Sequence, residues 1–216
     1  MSDRNCFFCG ATSKFPQGNL IMGSVELRDL DGRPTHILRS SVYLWIQRCP
    51  SCGYCAPEIA EGDPVDADVL HGDAYRQQLD NPDFPETANA FLCHSLVMQA
   101  RGLSADAAWA AVFAAWICDD NNYPESARAC RRYAITFFTA AREASIDFAE
   151  TAMREELYLI DLYRRCGDFS TAKSLCDGAL GLKPDESIID LFYFEKDLIE
   201  RGDSGIHSIA DMDELL

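Results

Sequence analysis

Apolar and polar positions alternate in one rhythm up to about residue 60 and in another beyond it. In the first part the apolar residues fall in short runs. Val25, Leu27 and Leu30 precede an Asp31-Gly32 pair, and Ile37 and Leu38 follow it. Asp-Gly between apolar segments is a hairpin signal, because both residues accept the backbone of a tight turn. Ser41-Val-Tyr-Leu-Trp-Ile46 is β-branched and aromatic, and it reads as a further strand. From residue 63 the spacing becomes helical. Asp63-Pro64 is a capping residue followed by proline at the first helical position, predicting a helix over 64–80. "NPDFPE" at 81–86 breaks the chain, and Pro85 opens a second helix ending near Gly102. Ser104 caps a third, with Ala108, Trp109, Val112, Phe113, Trp116 and Ile117 along one face. Asn121-Asn-Tyr-Pro124 starts a fourth, running through Ala141, and three more are predicted over 148–166, 169–181 and 185–201. Seven helices joined by short turns predict an all-α stack, not a βαβ fold.

The stretch "LIDLYRRCGDFSTAKSLCDGALGLKP" is more specific. Tyr163, Gly167-Asp-Phe169, Ala172, Ala179 and Pro184 fall at the spacing of a tetratricopeptide repeat, which the stretch resembles. Gly167 suits the left-handed turn between paired helices, and the two alanines are small where helices press together. Cys176 and Ile160 depart from the repeat, standing where an aromatic and a small residue are usual. Trp116 and "DDNNYPESARACRRYA" echo the unit in degenerate form. Repeats of this kind need neighbours to bury their faces, so a lone unit implies irregular helical hairpins beside it.

Cysteine spacing supplies the candidate chemistry. Cys6-Phe-Phe-Cys9-Gly10 and Cys49-Pro-Ser-Cys52-Gly53 are both CxxCG, and the strand-rich insert lies between them. A tetrahedral zinc takes four soft ligands, and two CxxC turns deliver them as two pairs. Glycine after the second cysteine lets each turn tighten until backbone N–H groups point at sulfur. The pattern predicts a zinc-ribbon domain over 1–60, with Cys6, Cys9, Cys49 and Cys52 as ligands of a structural Zn²⁺. Four thiolates leave no position for an activated water. Two other readings stay open: Cys55 as a substitute ligand, and Cys52/Cys55 as a redox pair. The second lacks the strand-then-helix setting of a thioredoxin-type motif. Cys93, Cys118, Cys130, Cys166 and Cys176 stand singly in apolar helical stretches and read as core residues.

Charge separates the same two regions. Residues 1–60 hold six basic and five acidic side chains, a net of +1, so the remaining chain carries −17 and the whole chain −16. Such a body repels phosphate backbones and favours a basic protein partner. Apolar residues make up 48% of the chain, enough for an ordinary core. Neither a signal peptide nor a membrane-spanning run is visible, so a cytoplasmic protein is expected.

No catalytic constellation stands out. Cys93-His94 lies mid-helix among Phe91, Leu92, Leu96 and Val97, and Asp119-Asp120 ends a helix before a turn. His36, His71 and His207 are scattered, and no phosphate loop, GxSxG or HExxH occurs. The expectation is therefore a non-enzymatic adaptor with a tetratricopeptide-like body over 61–201 and an acidic tail over 202–216. Helical hairpins of this type stack into a surface that grips a peptide or another protein's helix. Arg131, Arg132, Arg164 and Arg165 are the candidate anchors for a partner's carboxylates. The alternative is a nucleic-acid- or transcription-associated ribbon module, with Arg4, Phe7, Phe8 and Lys14 as an aromatic-basic patch.

The combination resembles an uncharacterised bacterial and archaeal family, described only as a domain of unknown function. Its pattern is an N-terminal CxxCG, a strand running into a CPxCGY knuckle, and tetratricopeptide-like helices. Cys6, Cys9, Gly10, Tyr43, Cys49, Pro50, Cys52, Gly53 and Tyr54 carry the resemblance. It implies zinc and a helical scaffold, and it brings no reaction with it.

Overall fold

Each CxxCG turn closes a short antiparallel hairpin. The computed structural model describes residues 1–16, 28–34, 39–62 and 64–214. Strand β1 (Ser2–Asn5) pairs with β2 (Thr12–Phe15), bracketing the first knuckle, and β3 (Gln47–Arg48) pairs with β4 (Cys55–Ala56), bracketing the second. The remaining described chain is mostly helical: α1 (Ala67–His71), α2 (Asp73–Leu79), α3 (Glu86–Ala100), α4 (Ser104–Asp120), α5 (Pro124–Glu143), α6 (Ala152–Arg165), α7 (Phe169–Gly181) and α8 (Glu186–Glu200). The fold class is thus as the sequence predicts: a small β-containing N-terminus and a mostly α body.

Two elements differ from the predictions. Residues 42–44 form a 3-10 turn in place of the predicted strand. Val42 and Ile46 lie four apart and are both buried, and Trp45 meets Phe113 edge-on with ring centres 5.4 Å apart. Burial of that helical spacing outweighs strand propensity, which depends on a neighbouring strand. The predicted first helix is two short ones. They break at Gly72, whose extended ψ of 151° interrupts the run, and Asp66 caps the start by accepting from the Asp68 N–H. The predicted strands around Val25 and Ile37, and the predicted cap Asp63, lie outside the described residues.

The chain divides into two compact units, Met1–Met22 with Ser40–Phe137, and Gly23–Arg39 with Phe138–Leu216; α5 runs across the division. In the first unit both hairpins share a body with α1–α4. Helices α3 and α4 are buried on nearly every face, as Ala88–Met98 and Ala107–Cys118 show, so they form an interior hairpin without a distinct polar stripe. The Ser95 hydroxyl ties them by donating to the Ala107 carbonyl at 2.7 Å.

In the second unit, the segment 28–34 makes the tight turn that Asp31-Gly32 predicts. Gly32 donates to the Asp29 carbonyl and Asp29 to that of Arg33, both at 2.9 Å. Gly32 has φ +81°, and a Cβ there would sit 3.1 Å from the Tyr158 hydroxyl. Leu30 enters a core with Leu157, Ile160, Ala172, Cys176, Ala179, Phe192 and Leu198. Helices α6 and α7 form a hairpin whose turn uses Gly167 at φ +80°, and the Asp168 side chain caps α7 by accepting from the Thr171 N–H. The C-terminal stretch is seated here. Ser208 bridges Asp29, and Ile209 and Met212, on the final 3-10 turn Ile209–Glu214, pack against the same core.

Candidate metal centre

The two knuckles are near copies in their backbone. In each, the first cysteine donates its N–H to the carbonyl five residues on, Cys6 to Ala11 at 2.9 Å and Cys49 to Tyr54 at 2.8 Å. In each, the glycine donates back to the first cysteine's carbonyl, Gly10 to Cys6 at 2.8 Å and Gly53 to Cys49 at 2.9 Å. Both glycines need the left-handed region, at φ +71° and +81°. The N–H groups of Phe8 and Cys9 point at the Cys6 sulfur, and those of Ser51 and Cys52 at the Cys49 sulfur. Such donors stabilise thiolate and orient it, as outer contacts at metal sites do.

The four sulfurs of Cys6, Cys9, Cys49 and Cys52 all lie within 4.8 Å of one another. Cys6 and Cys52 are 3.8 Å apart, and Cys9 and Cys49 are 3.7 Å apart. A tetrahedron with metal–sulfur bonds of about 2.3 Å has edges of roughly 3.8 Å, so the donors fit a tetrathiolate metal site. The four are free thiols at distances far beyond a disulfide bond. They also differ in acidity. Burial pushes the Cys49 thiol up, yet the Cys52 and Ser51 N–H groups and neighbouring thiols outweigh it and bring it down to about 7. Burial raises Cys52 and Cys6 instead. One thiolate forms readily and further ones resist crowding negative charge, which a bound cation reverses.

Cys55 stands outside this group. Its buried thiol donates to the Gly53 carbonyl at 3.4 Å and lies against Cys93 of α3. Its backbone N–H donates to the Tyr75 hydroxyl at 3.1 Å, and that hydroxyl donates to the Gly53 carbonyl at 3.0 Å. Burial and the adjoining Cys55 and Cys93 push the Tyr75 phenol far up, keeping it a neutral donor.

Helix α2 supports the second knuckle from outside. Arg76 donates to the Cys52 carbonyl at 3.3 Å, and Arg48 donates to the Leu79 carbonyl at 3.1 Å and to the Asp80 carboxylate at 2.8 Å. Leu79 packs so closely that a Cβ on Gly53 would stand 2.5 Å from its Cδ2. No sequence motif points to Tyr75, Arg76 or Leu79. Arg48 beside Cys49 is the visible half of one contact, but Asp80 lies far along the chain and no spacing rule links the two.

Three of the four candidate anchor arginines are inside the protein, which corrects the expectation that they line an exposed surface. Arg131 is buried and pairs with the Asp119 carboxylate across the α4–α5 turn. Arg164 is fully buried between Asp161 and Glu195, its Nε 2.8 Å from Glu195 Oε2. Arg165 is buried with Nη1 3.8 Å from Asp31 Oδ2. Only Arg132 of the four is exposed. A helix end packed against further chain has its cations taken by local carboxylates before any partner arrives. His94, of the catalytic candidates, is buried among the helices as a core residue.

No protein-family profile, no curated protein and no solved structure matches the chain significantly. The resemblance drawn from the knuckles therefore rests on the cysteine cluster and the helical body alone. Among the described residues, no helix is long and apolar enough to cross a membrane.

Proposed function

We propose that the chain is a non-enzymatic scaffold whose tetrathiolate site holds one structural Zn²⁺ and whose tetratricopeptide-like body binds a protein partner. The observation that carries the metal reading is the cluster of four sulfurs within 4.8 Å of one another, two of whose edges, 3.7 and 3.8 Å, match those of a tetrathiolate tetrahedron. Thiolates select soft metals, zinc or iron. With four protein ligands the cation has no vacant position for substrate or water, so its contribution is to fold stability. It would tie two hairpins, distant from each other in sequence, into one body with α1–α4.

The hairpin α6–α7 supports the repeat reading. Gly167 adopts the left-handed turn, and Ala172, Cys176 and Ala179 are buried at the pressed face. The strongly acidic body favours a basic protein surface over nucleic acid. The aromatic-basic patch of the alternative module is weakened by local contacts: Arg4 lies 3.8 Å from Glu58, and Phe8 packs against Tyr54 and His71.

Two measurements test the reading. Elemental analysis of protein purified without added metal should find one zinc per chain and a colourless solution. An iron–thiolate absorption band would overturn the zinc assignment. Titration with single- and double-stranded oligonucleotides at low salt should show no binding, while a basic protein partner identified by cross-linking should bind with salt-sensitive affinity. Tight, salt-dependent oligonucleotide binding would favour the nucleic-acid module instead.

A further inference from the structure

Arg164 and Arg165 aim their remaining donors at an unusual acceptor: three consecutive main-chain carbonyls of the chain's own C-terminal segment. Arg164 Nη1 donates to the carbonyls of Asp203 at 2.9 Å and Gly205 at 3.0 Å, and Arg165 Nε donates to that of Ser204 at 3.1 Å. The carboxylates of Asp161 and Glu195 take the other edges of the Arg164 guanidinium. They orient the fork; the peptide backbone is what it holds.

Along the other side of the segment, residues 28–30 add a strand-like edge. Leu30 donates to the His207 carbonyl and Ile209 to the Arg28 carbonyl, both at 2.9 Å, with Asp29 and Ser208 forming an antiparallel bridge. Two apolar side chains three residues apart, Ile209 and Met212, then reach the core of α6–α8. The segment's outer side carries Ser204, Gly205 and Ile206, all exposed. Main-chain hydrogen bonds, a bridging edge and spaced apolar anchors are how extended peptides are recognised when they add to a sheet edge.

We propose that Arg164, Arg165 and the 28–30 edge form a binding site for an extended peptide, and that residues 203–212 occupy it in cis as a displaceable strap. The proposal rests on the adaptor reading and names its ligand class. The ligand is a segment recognised through three successive carbonyls, independently of side chains there, followed by apolar residues at the positions of Ile209 and Met212. Because α8 ends at Glu200 and the strap begins three residues later, the tether holds the strap at an effective concentration of about millimolar. A free competitor must overcome that concentration, so the strap sets a threshold for partner binding.

Native-state hydrogen exchange on the full-length protein tests the displaceable strap directly. The amides of Leu30, Gly205, Ser208 and Ile209 should open together, well before the interior amides of α6 and α8. Exchange of those four only through global unfolding would overturn the proposal. The second test uses a fluorescein-labelled peptide of residues 201–214 and full-length Ile209→Asp, a change in the strap and not in the cradle. With a millimolar tether and a peptide Kd of about 10 μM, that variant should bind the peptide about 100-fold more tightly than wild type. Adding Arg165→Gln should then weaken binding at least about tenfold, the value of one charge-assisted contact. A folded Ile209→Asp variant that captures no peptide, or one that loses its helices, would overturn the proposal. The two readings fail separately. A partner that binds wild type and is not displaced by saturating peptide refutes this site and keeps the adaptor. Peptide capture without any basic protein partner refutes the adaptor and keeps the site.

Discussion

The two units solve the same problem, fixing irregular chain to helices, with different chemistry. In the first, two hairpins carry few large apolar residues and converge on four sulfurs, where a bound cation would offset the repulsion among thiolates. In the second, Arg165 pairs with Asp31 of segment 28–34, and Arg164 and Arg165 donate to the carbonyls of 203–205, with Asp161 and Glu195 meeting the charge of Arg164 inside. With the proposed metal the first device depends on an external ligand, whereas the second draws only on the chain's own residues. Buried charge is tolerated in the second unit because the guanidinium of Arg164 meets two carboxyl groups and two carbonyls at once.

The largest expected effect breaks the first device. Cys49→Ser removes one of the four proposed ligands, the one whose thiol is lowered to about 7, and leaves three. Structural zinc contributes roughly 10–16 kcal/mol in small zinc peptides, so the hairpins should unfold and the metal should be lost. All three tryptophans, Trp45, Trp109 and Trp116, lie in the first unit, so tryptophan fluorescence should report the change. A variant that keeps its metal and its fluorescence would refute the site.

Next comes the second device. Arg164→Met leaves the Asp161 carboxylate and the Glu195 carboxyl buried without the guanidinium they share, at a cost of about 3–5 kcal/mol. Chemical denaturation followed by circular dichroism should show it. A loss under about 1 kcal/mol, the value of an exposed pair, would contradict the network. Gly53→Ala should cost about 1–3 kcal/mol, from an unfavourable backbone at φ +81° and contact with Leu79. The penalty should fall on the first unit alone, where an unchanged melting midpoint would contradict the packing described.

Acidity separates the units with opposite signs. Burial and the nearby Asp161 push the Glu195 carboxyl up to about 8, against the pull of Arg164. Glu195 Oε1 and Asp161 Oδ2 have no other hydrogen-bond donor among the described residues, and a proton on Glu195 provides one. The folded state therefore holds a proton that the unfolded chain releases near 4.5. Its stabilisation is complete below that value and is lost as pH rises through about 8. Asp29, raised to about 6 chiefly by burial, adds in the same direction between 3.8 and 6. The proposed tetrathiolate site would behave oppositely, because acid protonates thiolates and would expel a bound metal. Amide exchange should show the second unit loosening from pH 6 to 9, and tryptophan fluorescence should show the first loosening on acidification. Parallel responses in both units would contradict the distinction.

How far sequence reading reaches follows the same divide. The knuckles are legible because ligand chemistry constrains local spacing: CxxC, the following glycine and the positive φ are all set within one short turn. The helices are legible through prolines and apolar periodicity, and the left-handed Gly167 turn is visible as Gly-Asp; the caps are not, since Ser104 lies within its helix after Leu103 and the capping side chains are Asp66, Thr151 and Asp168. The contacts of Tyr75, Arg76 and Leu79 with the second knuckle are not, because they join positions well separated along the chain. Arg164 and Arg165 mislead for a related reason. A double arginine at a helix end looks exposed until the segments that cover it are known, and one of those segments, 28–34, comes from near the other end of the chain. Residues 42–44 mislead because β-branched and aromatic composition records burial as much as strand geometry.

Metal content per chain across serine variants of Cys6, Cys9, Cys49, Cys52 and Cys55, each purified without added metal, decides which sulfurs hold the metal. Wild type and Cys55→Ser should each retain one zinc, and the other four variants should lose it. Loss of metal in Cys55→Ser, or one metal retained in any of the other four, would contradict a site made of Cys6, Cys9, Cys49 and Cys52.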